Sequence, residues 1–367
     1  MAVSHTLPFE LDHGLSRARI IELLDTDDPT VEKALFEHAY RVKAEHVGTR
    51  VYFRGIVEFS NICVKDCYYC GVRRSNTQVK RFTMSEEDIV AAGLWIHENG
   101  YGSMVLQSGE RQDAGFVDFV ERIVGKLKDR TQGQLGITLS LGEQAADTYR
   151  RWFEAGAHRY LLRIETSNEA LYRRLHPKDH DPSVRLACLD SLRSEGYQVG
   201  TGVMMGLPGQ TSADLADDIA FYKDNDIDMI GMGPYIVHSQ TPLAATVKDF
   251  DPARQLRLGL RMIALTRIVL EDVNIAATTA LQALDPRGRE LGLKAGANIV
   301  MPNVTDVKYR DAYQLYDGKP CMDENASQCK HCLRARIESV GETIGLGQWG
   351  DSPHFFKRRQ EMGQNHE

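Results

Sequence analysis

Between Val51 and Met301 the chain alternates short, β-branched apolar runs with stretches whose apolar residues recur every three or four positions. The runs predict strands at 51–58, 103–107, 136–141, 159–165, 198–204, 228–232, 273–278 and 297–301. Helices are predicted between them at 86–99, 114–128, 144–156, 183–196, 212–225, 253–270 and 286–294. Ser85-Glu86-Glu87-Asp88 and Thr211-Ser212-Ala213-Asp214 carry helix-start chemistry. Eight strands alternating with helices over ~250 residues is the pattern of an α/β protein of the (β/α)8, TIM-type barrel class, and a doubly wound open sheet is the alternative. Residues 1–48 read as a helical N-terminal extension started at Asp28-Pro29-Thr30, residues 49–350 as the barrel, and 351–367 as a loose polar tail.

Period-2 alternation gives three of these strands a polar face. It places Arg54, Ile56 and Glu58 together, Thr138 with Ser140, and Arg163 with Glu165. If the apolar faces meet the helices, these groups point into the barrel. The two arginines then either pair with Glu58 and Glu165 or receive an anion. Gln107, Thr278, Thr279, Tyr313 and Tyr316 add amide and hydroxyl groups at strand ends, so the cavity reads as small, polar and suited to a carboxylate-bearing ligand.

Composition narrows the class. At 42% hydrophobic and 26% charged residues the chain is an ordinary globular one. A net charge of −7 with no basic stripe argues against nucleic acid as a partner. No secretory leader and no apolar run of membrane length is visible, which points to the cytoplasm. Six of the seven cysteines fall in two clusters, the usage of a reducing compartment that commits thiolates to metal. Cys188, in an apolar-periodic stretch, reads as core.

The first cluster, Asn61-Ile62-Cys63-Val64-Lys65-Asp66-Cys67-Tyr68-Tyr69-Cys70, follows the first strand. Three thiolates at C-x3-C-x2-C can hold three irons of a [4Fe–4S] cube and leave the fourth open to a ligand. A structural zinc site would need a fourth ligand, and this loop has none. The second set is Cys321, Cys329 and Cys332, with His331 adjacent, and could take iron–sulfur or zinc.

The C-x3-C-x-aromatic-C loop after strand one resembles the signature of the radical S-adenosylmethionine (SAM) enzymes. The resemblance implies that Cys63, Cys67 and Cys70 ligate the cube, whose open iron chelates SAM and whose electron cleaves it to a 5′-deoxyadenosyl radical. It also implies SAM-binding roles near Tyr69. Ser108-Gly109-Glu110 resembles the element whose backbone receives the SAM amino group, Glu165 the carboxylate that holds the ribose, and Arg185 the partner of the SAM carboxylate.

Longer stretches, among them Glu58-Phe59-Ser60-Asn61-Ile62-Cys63, Gly206-Leu207-Pro208-Gly209-Gln210-Thr211 and Gly296-Ala297-Asn298-Ile299-Val300-Met301-Pro302-Asn303, are similar to the HydE family of [FeFe]-hydrogenase H-cluster maturases. That implies a cysteine-ligated iron carbonyl/cyanide precursor as substrate, with Arg54, Gln107, Thr138, Arg163, Thr278, Thr279 and Tyr316 to hold it. It further implies a reducing electron donor, other maturation proteins as partners, and an auxiliary Fe–S cluster at the late cysteines. One departure is Ile164, where the family more often has His; alternation turns Ile164 out of the barrel. A biotin-synthase-like or methylornithine-synthase-like enzyme and a non-catalytic Fe–S carrier are the competing functions. Gly200-Thr201-Gly202 and Gly231-Met232-Gly233 open no helix, so they read as close-approach glycines, and His176 and His238 as solvated or structural rather than catalytic.

Overall fold

The computed structural model describes residues 14–364, with side chains to residue 361. The first 13 residues of the predicted extension and the last three of the predicted tail lie outside the described residues. In chain order the strands are β1 (Arg50–Ser60), β2 (Ser103–Ser108), β3 (Gly136–Ser140), β4 (Arg159–Leu161), β5 (Gln198–Thr201), β6 (Met204–Met205), β7 (Met229–Ile230), β8 (Gly233–Pro234), β9 (Asn274–Ala277), β10 (Ile299–Val300) and β11 (Thr343–Ile344). Among the described residues β1, β2, β3, β4, β5, β7, β9 and β10 pair in that order, all parallel, and β10 closes onto β1 through Tyr52 opposite Ile299 and Phe53 opposite Val300. The closed barrel replaces the open-sheet alternative.

Each strand begins close to where the alternation predicts, but several end early. The run at 159–165 is hydrogen-bonded as a strand only to Leu161. Glu165 lies at φ +65°, in the left-handed region, which breaks the ladder and leaves only an isolated bridge to Val203. The helices hold their predicted places. Ser85 accepts from the Asp88 amide, and Thr211 and Asp214 form a reciprocal capping box. Phe53, Val57, Phe59, Ile137, Leu139, Tyr160 and Val199 are buried in the main core, so the apolar faces of the strands meet the helices. Each is worth roughly 1.5–3 kcal/mol of transfer free energy.

The N-terminal helices Arg17–Asp25 and Pro29–His46 lie against the barrel's outer helices, the second capped by Asp28 as expected. Lys43, fully buried, donates to both Glu342 carboxylate oxygens at 2.7 Å and to the Leu293 carbonyl, tying this layer to the C-terminal segment.

The tail is not loose. Residues Pro353–Gln364 form a helix, and the strap before it closes the N-terminal end of the barrel. Arg159 and Asn274, at the first positions of β4 and β9, donate to the Trp349 and Gly350 carbonyls, and the Ser352 amide donates to Gln198 at the start of β5. Polar residues at strand starts would otherwise be buried without partners.

His354 anchors the strap, with Nε2 2.7 Å from Asp226 Oδ1 and Nδ1 3.0 Å from Asp272 Oδ1. Hydrogen bonds to Asp226 and Asp272 raise its pKa from 6.5 to about 9. Because the folded value lies above the unfolded one, this stabilisation is complete below about pH 6.5 and is lost as the pH rises through about 9. His354→Gln is expected to destabilise the protein by ~2 kcal/mol at pH 6 and by much less at pH 9.5, after allowance for solvent screening. Urea midpoints at the two pH values check this; an equal loss at both would show that the ring acts by packing alone.

Candidate active site at the C-terminal mouth of the barrel

The loops that follow the strands surround a cavity of about 340 Å³. Its wall includes Cys63, Cys67, Cys70 and Tyr69 from the loop after β1, and Gln107 with Ser108, Gly109 and Glu110 from the end of β2. Arg163 and Glu165 follow β4, and Arg185 comes from the helix Pro182–Ser194. Thr278 and Thr279 follow β9, and Tyr316 closes the far side. Residues far apart in the sequence thus face one space, at the barrel end where active sites of this architecture form.

Tight packing fixes the cysteine loop. A Cβ on Gly109 would stand 2.4 Å from the Ile62 carbonyl oxygen and 2.8 Å from Cys63 Cβ, so only glycine allows β2 to approach. The Glu110 amide donates to Cys63 Sγ at 3.3 Å, and the Val64 amide donates to the Glu110 carbonyl at 2.9 Å. Arg81 holds the loop from below, donating to the carbonyls of Asn61, Val72, Arg73 and Asn76. Tyr69 Oη lies 3.2 Å from His176 Nε2, and His176 Nδ1 is 2.8 Å from the Tyr172 carbonyl oxygen, so His176 is a buried structural residue.

The donor set fits a multi-iron cluster. Burial pushes the Cys67 thiol up to about 12 and Cys70 higher, and each would repel its neighbours as a thiolate, so a cationic core is what makes the charged trio favourable. Among the described residues no three His, Cys, Asp or Glu side chains converge closely enough for a single metal ion. A cube binds each thiolate to a different iron and leaves its fourth iron to another ligand.

Beside the cysteines lies a charge network that pattern reading missed. Arg185 Nε donates to Glu143 Oε1 at 2.8 Å and its Nη1 to the Arg163 carbonyl at 3.0 Å. Lys65 donates to Glu143 Oε2 at 2.6 Å and stands 3.4 Å from Glu110 Oε1. Burial, followed by the charge of Glu143, raises Glu110 to about 7. Glu143 is also pushed up by burial, but Arg185 and Lys65 outweigh this and hold it below the ordinary carboxylate value. Lys65 could have been noticed as the one cation between the first two cysteines, and Glu143 as the acid three residues after β3.

Glu165 is held in its left-handed conformation by its amide on the Gly202 carbonyl at 3.1 Å and by the Met204 amide on its own carbonyl at 3.0 Å. A non-glycine residue there costs on the order of 1–3 kcal/mol, a cost that persists where the surroundings over-determine it. Arg163 Nη2 donates to Glu165 Oε2 at 2.9 Å, while Arg163 Nε and Thr278 Oγ1 are buried without a hydrogen-bond partner. Thr279 Oγ1 accepts from Arg289 at 3.0 Å. Gln107 donates to Tyr313 Oη at 3.2 Å. Glu58 is taken by Lys319, at 2.5 and 2.7 Å, rather than by an arginine. The glycines after β5 serve close approach, since a Cβ on Gly202 would stand 2.3 Å from the Gly231 carbonyl oxygen.

Two expected substrate groups lie elsewhere. Arg54 donates to the Gly350 carbonyl at 3.0 Å and to Met229 Sδ, and Thr138 Oγ1 accepts from Arg159 Nε at 3.0 Å. Both line a separate space of about 20 Å³ deeper in the barrel. Alternation placed them on the inner face correctly, but they sit too near the strand starts, where Arg54 is taken by the C-terminal strap and Thr138 by Arg159. Ile164, as expected, faces outward, into a groove with Tyr172 and Phe221.

The late cysteines are outside the cavity. Cys329 and Cys332 lie one turn apart on the helix Ala326–Ser339, and Cys321, at φ +62°, brings its thiol against Cys329. Cys332 is exposed beside Arg336. His331 is two residues from Cys329, about 200° around the helix, and exposed, so it does not join them as a zinc ligand. Cys188 is buried core.

A closed parallel barrel with three cysteines on the loop after its first strand defines a radical SAM enzyme, and the family model described as "Radical SAM superfamily" matches residues 57–222. Within that superfamily the chain belongs to the HydE family. It is 44% identical over 344 residues, 93% of this chain and 95% of the relative, to the "[FeFe] hydrogenase maturase subunit HydE" of Thermotoga maritima. It is 24% identical to the 3-methylornithine synthase of Methanosarcina acetivorans, over 87% of each chain. Among solved structures, methylornithine synthase (PylB) superposes with a TM-score of 0.77 at 22% identity, covering 91% of this chain and 95% of that one. The hydrogenase maturase HydG superposes at 0.74 with 19% identity, covering 90% and 73%. These two structures share the fold.

Proposed function

We propose that the enzyme uses its radical chemistry in [FeFe]-hydrogenase maturation, acting on a cysteine-ligated iron carbonyl/cyanide precursor. The observation that carries this reading is the single cavity onto which the three cysteines, the polar end of β2, Glu165 and Arg185 open together with Arg163, Thr278, Thr279 and Tyr316. The 44% identity to the Thermotoga maritima maturase supports the role in [FeFe]-hydrogenase maturation.

In this reading Cys63, Cys67 and Cys70 hold a [4Fe–4S] cluster that, with SAM bound, supplies a 5′-deoxyadenosyl radical. Ser108, Gly109 and Glu110 bind the amino end of SAM, with Glu110 oriented by the Glu143 amide at 3.0 Å. Arg185 takes the carboxylate, placed by Glu143, and Glu165 takes the ribose. Tyr69 packs at the edge of the His176 ring, with centroids 5.4 Å apart, and walls the cysteine side. The unpartnered Arg163 Nε and Thr278 Oγ1 await groups of the precursor, with Thr279, Gln107 and Tyr316 beside them. The protein's part is placement and exclusion of water.

The reading includes a cytoplasmic setting, a protein reductant and exchange with other maturation proteins. No helix among the described residues is long and apolar enough to cross a membrane. The test is anaerobic reconstitution followed by measurement of SAM cleavage with either an iron–carbonyl–cyanide cysteine complex or lysine. Stimulation and consumption of the iron complex alone support it; methylornithine from lysine would replace it with the competing reading.

Cys321, Cys329 and Cys332 are proposed to hold an auxiliary Fe–S cluster that SAM cleavage does not need, since none lines the cavity. The triple Cys→Ala protein is expected to lose iron yet make 5′-deoxyadenosine within about twofold of the parent rate, a change worth only ~0.4 kcal/mol of barrier. Iron analysis and product chromatography check both; loss of cleavage in a folded variant would make this site part of the reaction.

A further inference from the structure

The cysteine loop has an outer face that the chemistry described so far leaves unused. Ile62 and Val64, on either side of Cys63, are exposed at 37% and 45%, among the few large apolar side chains the described surface presents. Two exposed cations bracket them. The Arg74 amide donates to the Lys65 carbonyl, next to Val64, and the Lys80 carbonyl accepts from the Asn61 side chain, next to Ile62. Neither Arg74 nor Lys80 is in an ion pair found among the described residues, whereas Arg73 is committed to Asp66 and Lys65 to Glu143. Between Asn61 and Phe82 the chain carries Lys65, Arg73, Arg74, Lys80 and Arg81 against one acid, Asp66, in a protein whose net charge is −7. A locally basic rim around a small apolar centre, on a globally acidic chain, is how a surface selects an acidic protein and steers it to one spot.

We propose that this face is the docking site for an acidic one-electron carrier protein, which delivers its electron across the Ile62–Val64 segment to the cluster on Cys63, Cys67 and Cys70. The inference rests on the cluster assignment above. In each transfer the carrier is oxidised by one electron and the cluster reduced by one, with no bond made or broken. Cys63 is the cysteine whose own neighbours form the exposed patch, so a carrier docked there would meet the residues on either side of a thiol that would hold the cluster. The barrel's other end is closed by the C-terminal strap, and the cavity side is occupied by SAM and substrate during turnover. The outer loop face is the approach that remains.

The experiment uses full-length reconstituted enzyme, with SAM cleavage driven either by dithionite, which needs no docking, or by an acidic 2[4Fe–4S] ferredoxin kept reduced. Arg74→Glu/Lys80→Glu is expected to leave the dithionite rate within about twofold and to lower the ferredoxin rate at least about tenfold at low salt. Raising salt from ~50 to ~300 mM should slow the wild-type ferredoxin reaction severalfold while sparing the variant. A variant ferredoxin rate equal to wild type, or a wild-type rate indifferent to salt, overturns the proposal. If dithionite drives no cleavage in iron-replete wild-type enzyme, the cluster assignment itself fails. Should the double reversal bind too little iron, Arg74→Gln/Lys80→Gln replaces it, with a loss of about threefold confined to the ferredoxin reaction expected and no loss overturning.

Discussion

Cys67→Ala is expected to abolish 5′-deoxyadenosine formation, with a fall on the order of a thousandfold or more, equivalent to at least ~4 kcal/mol of barrier. The site offers no substitute. Among the described residues no further cysteine lines the cavity beyond Cys63, Cys67 and Cys70. A two-thiolate loop leaves two irons of a cube without protein ligands, and the cluster is lost rather than weakened. The fold should survive, because the loop is held by its backbone and by Arg81, whose guanidinium donates to five loop carbonyls, and not by the Cys67 thiol. Anaerobic reconstitution, an iron count and product chromatography under dithionite check the result. Cleavage at the parent rate in a variant that holds its iron would show that the cluster is carried elsewhere.

The barrel was legible because its signal is collective. No one of β4, β7 or β10, at two or three hydrogen-bonded residues each, would be convincing alone, but eight apolar runs at regular spacing leave few architectures that bury them all. Helix starts were legible residue by residue, since a cap is a local hydrogen bond. Ser85 and Thr211 make theirs as their sequences foretell. The C-terminal strap was not legible. Gly350 contributes a carbonyl to Arg54 and Asn274, and a carbonyl has no sequence signature.

The same contrast divides the site. The cysteine spacing and Glu165, the acid four residues beyond β4, could be read because the chemistry constrains side-chain type. The pairing of Lys65 and Arg185 on Glu143 depends on how three separate loops meet, and spacing does not encode that. Alternation says which face of a strand a residue occupies and nothing about depth along the barrel axis. Arg54 and Arg163 have the same pattern, yet one is sealed under the strap and the other faces the mouth.

Arg163→Lys is expected to lower kcat/KM for the iron precursor by about 10- to 100-fold while changing SAM affinity less than about threefold. Arg163 presents three donor nitrogens. One holds Glu165 at 2.9 Å, and Nε is buried with no partner. A lysine retains a positive charge beside Glu165 and so keeps a partner for that carboxylate. What it cannot reproduce is the planar fork, which matches two acceptor atoms of one ligand at once. A lost charge-assisted hydrogen bond costs ~1.5–3 kcal/mol, which is the quoted range of rates. The bound SAM, by contrast, is held through Glu165, Arg185 and the end of β2 in the proposed arrangement, none of which is altered. Titration calorimetry for SAM and steady-state turnover of the precursor separate the two. Equal losses would mean that Arg163 serves chiefly to orient Glu165 for the cofactor, and the absence of loss in either would place the precursor on Thr278, Thr279 and Tyr316 without it.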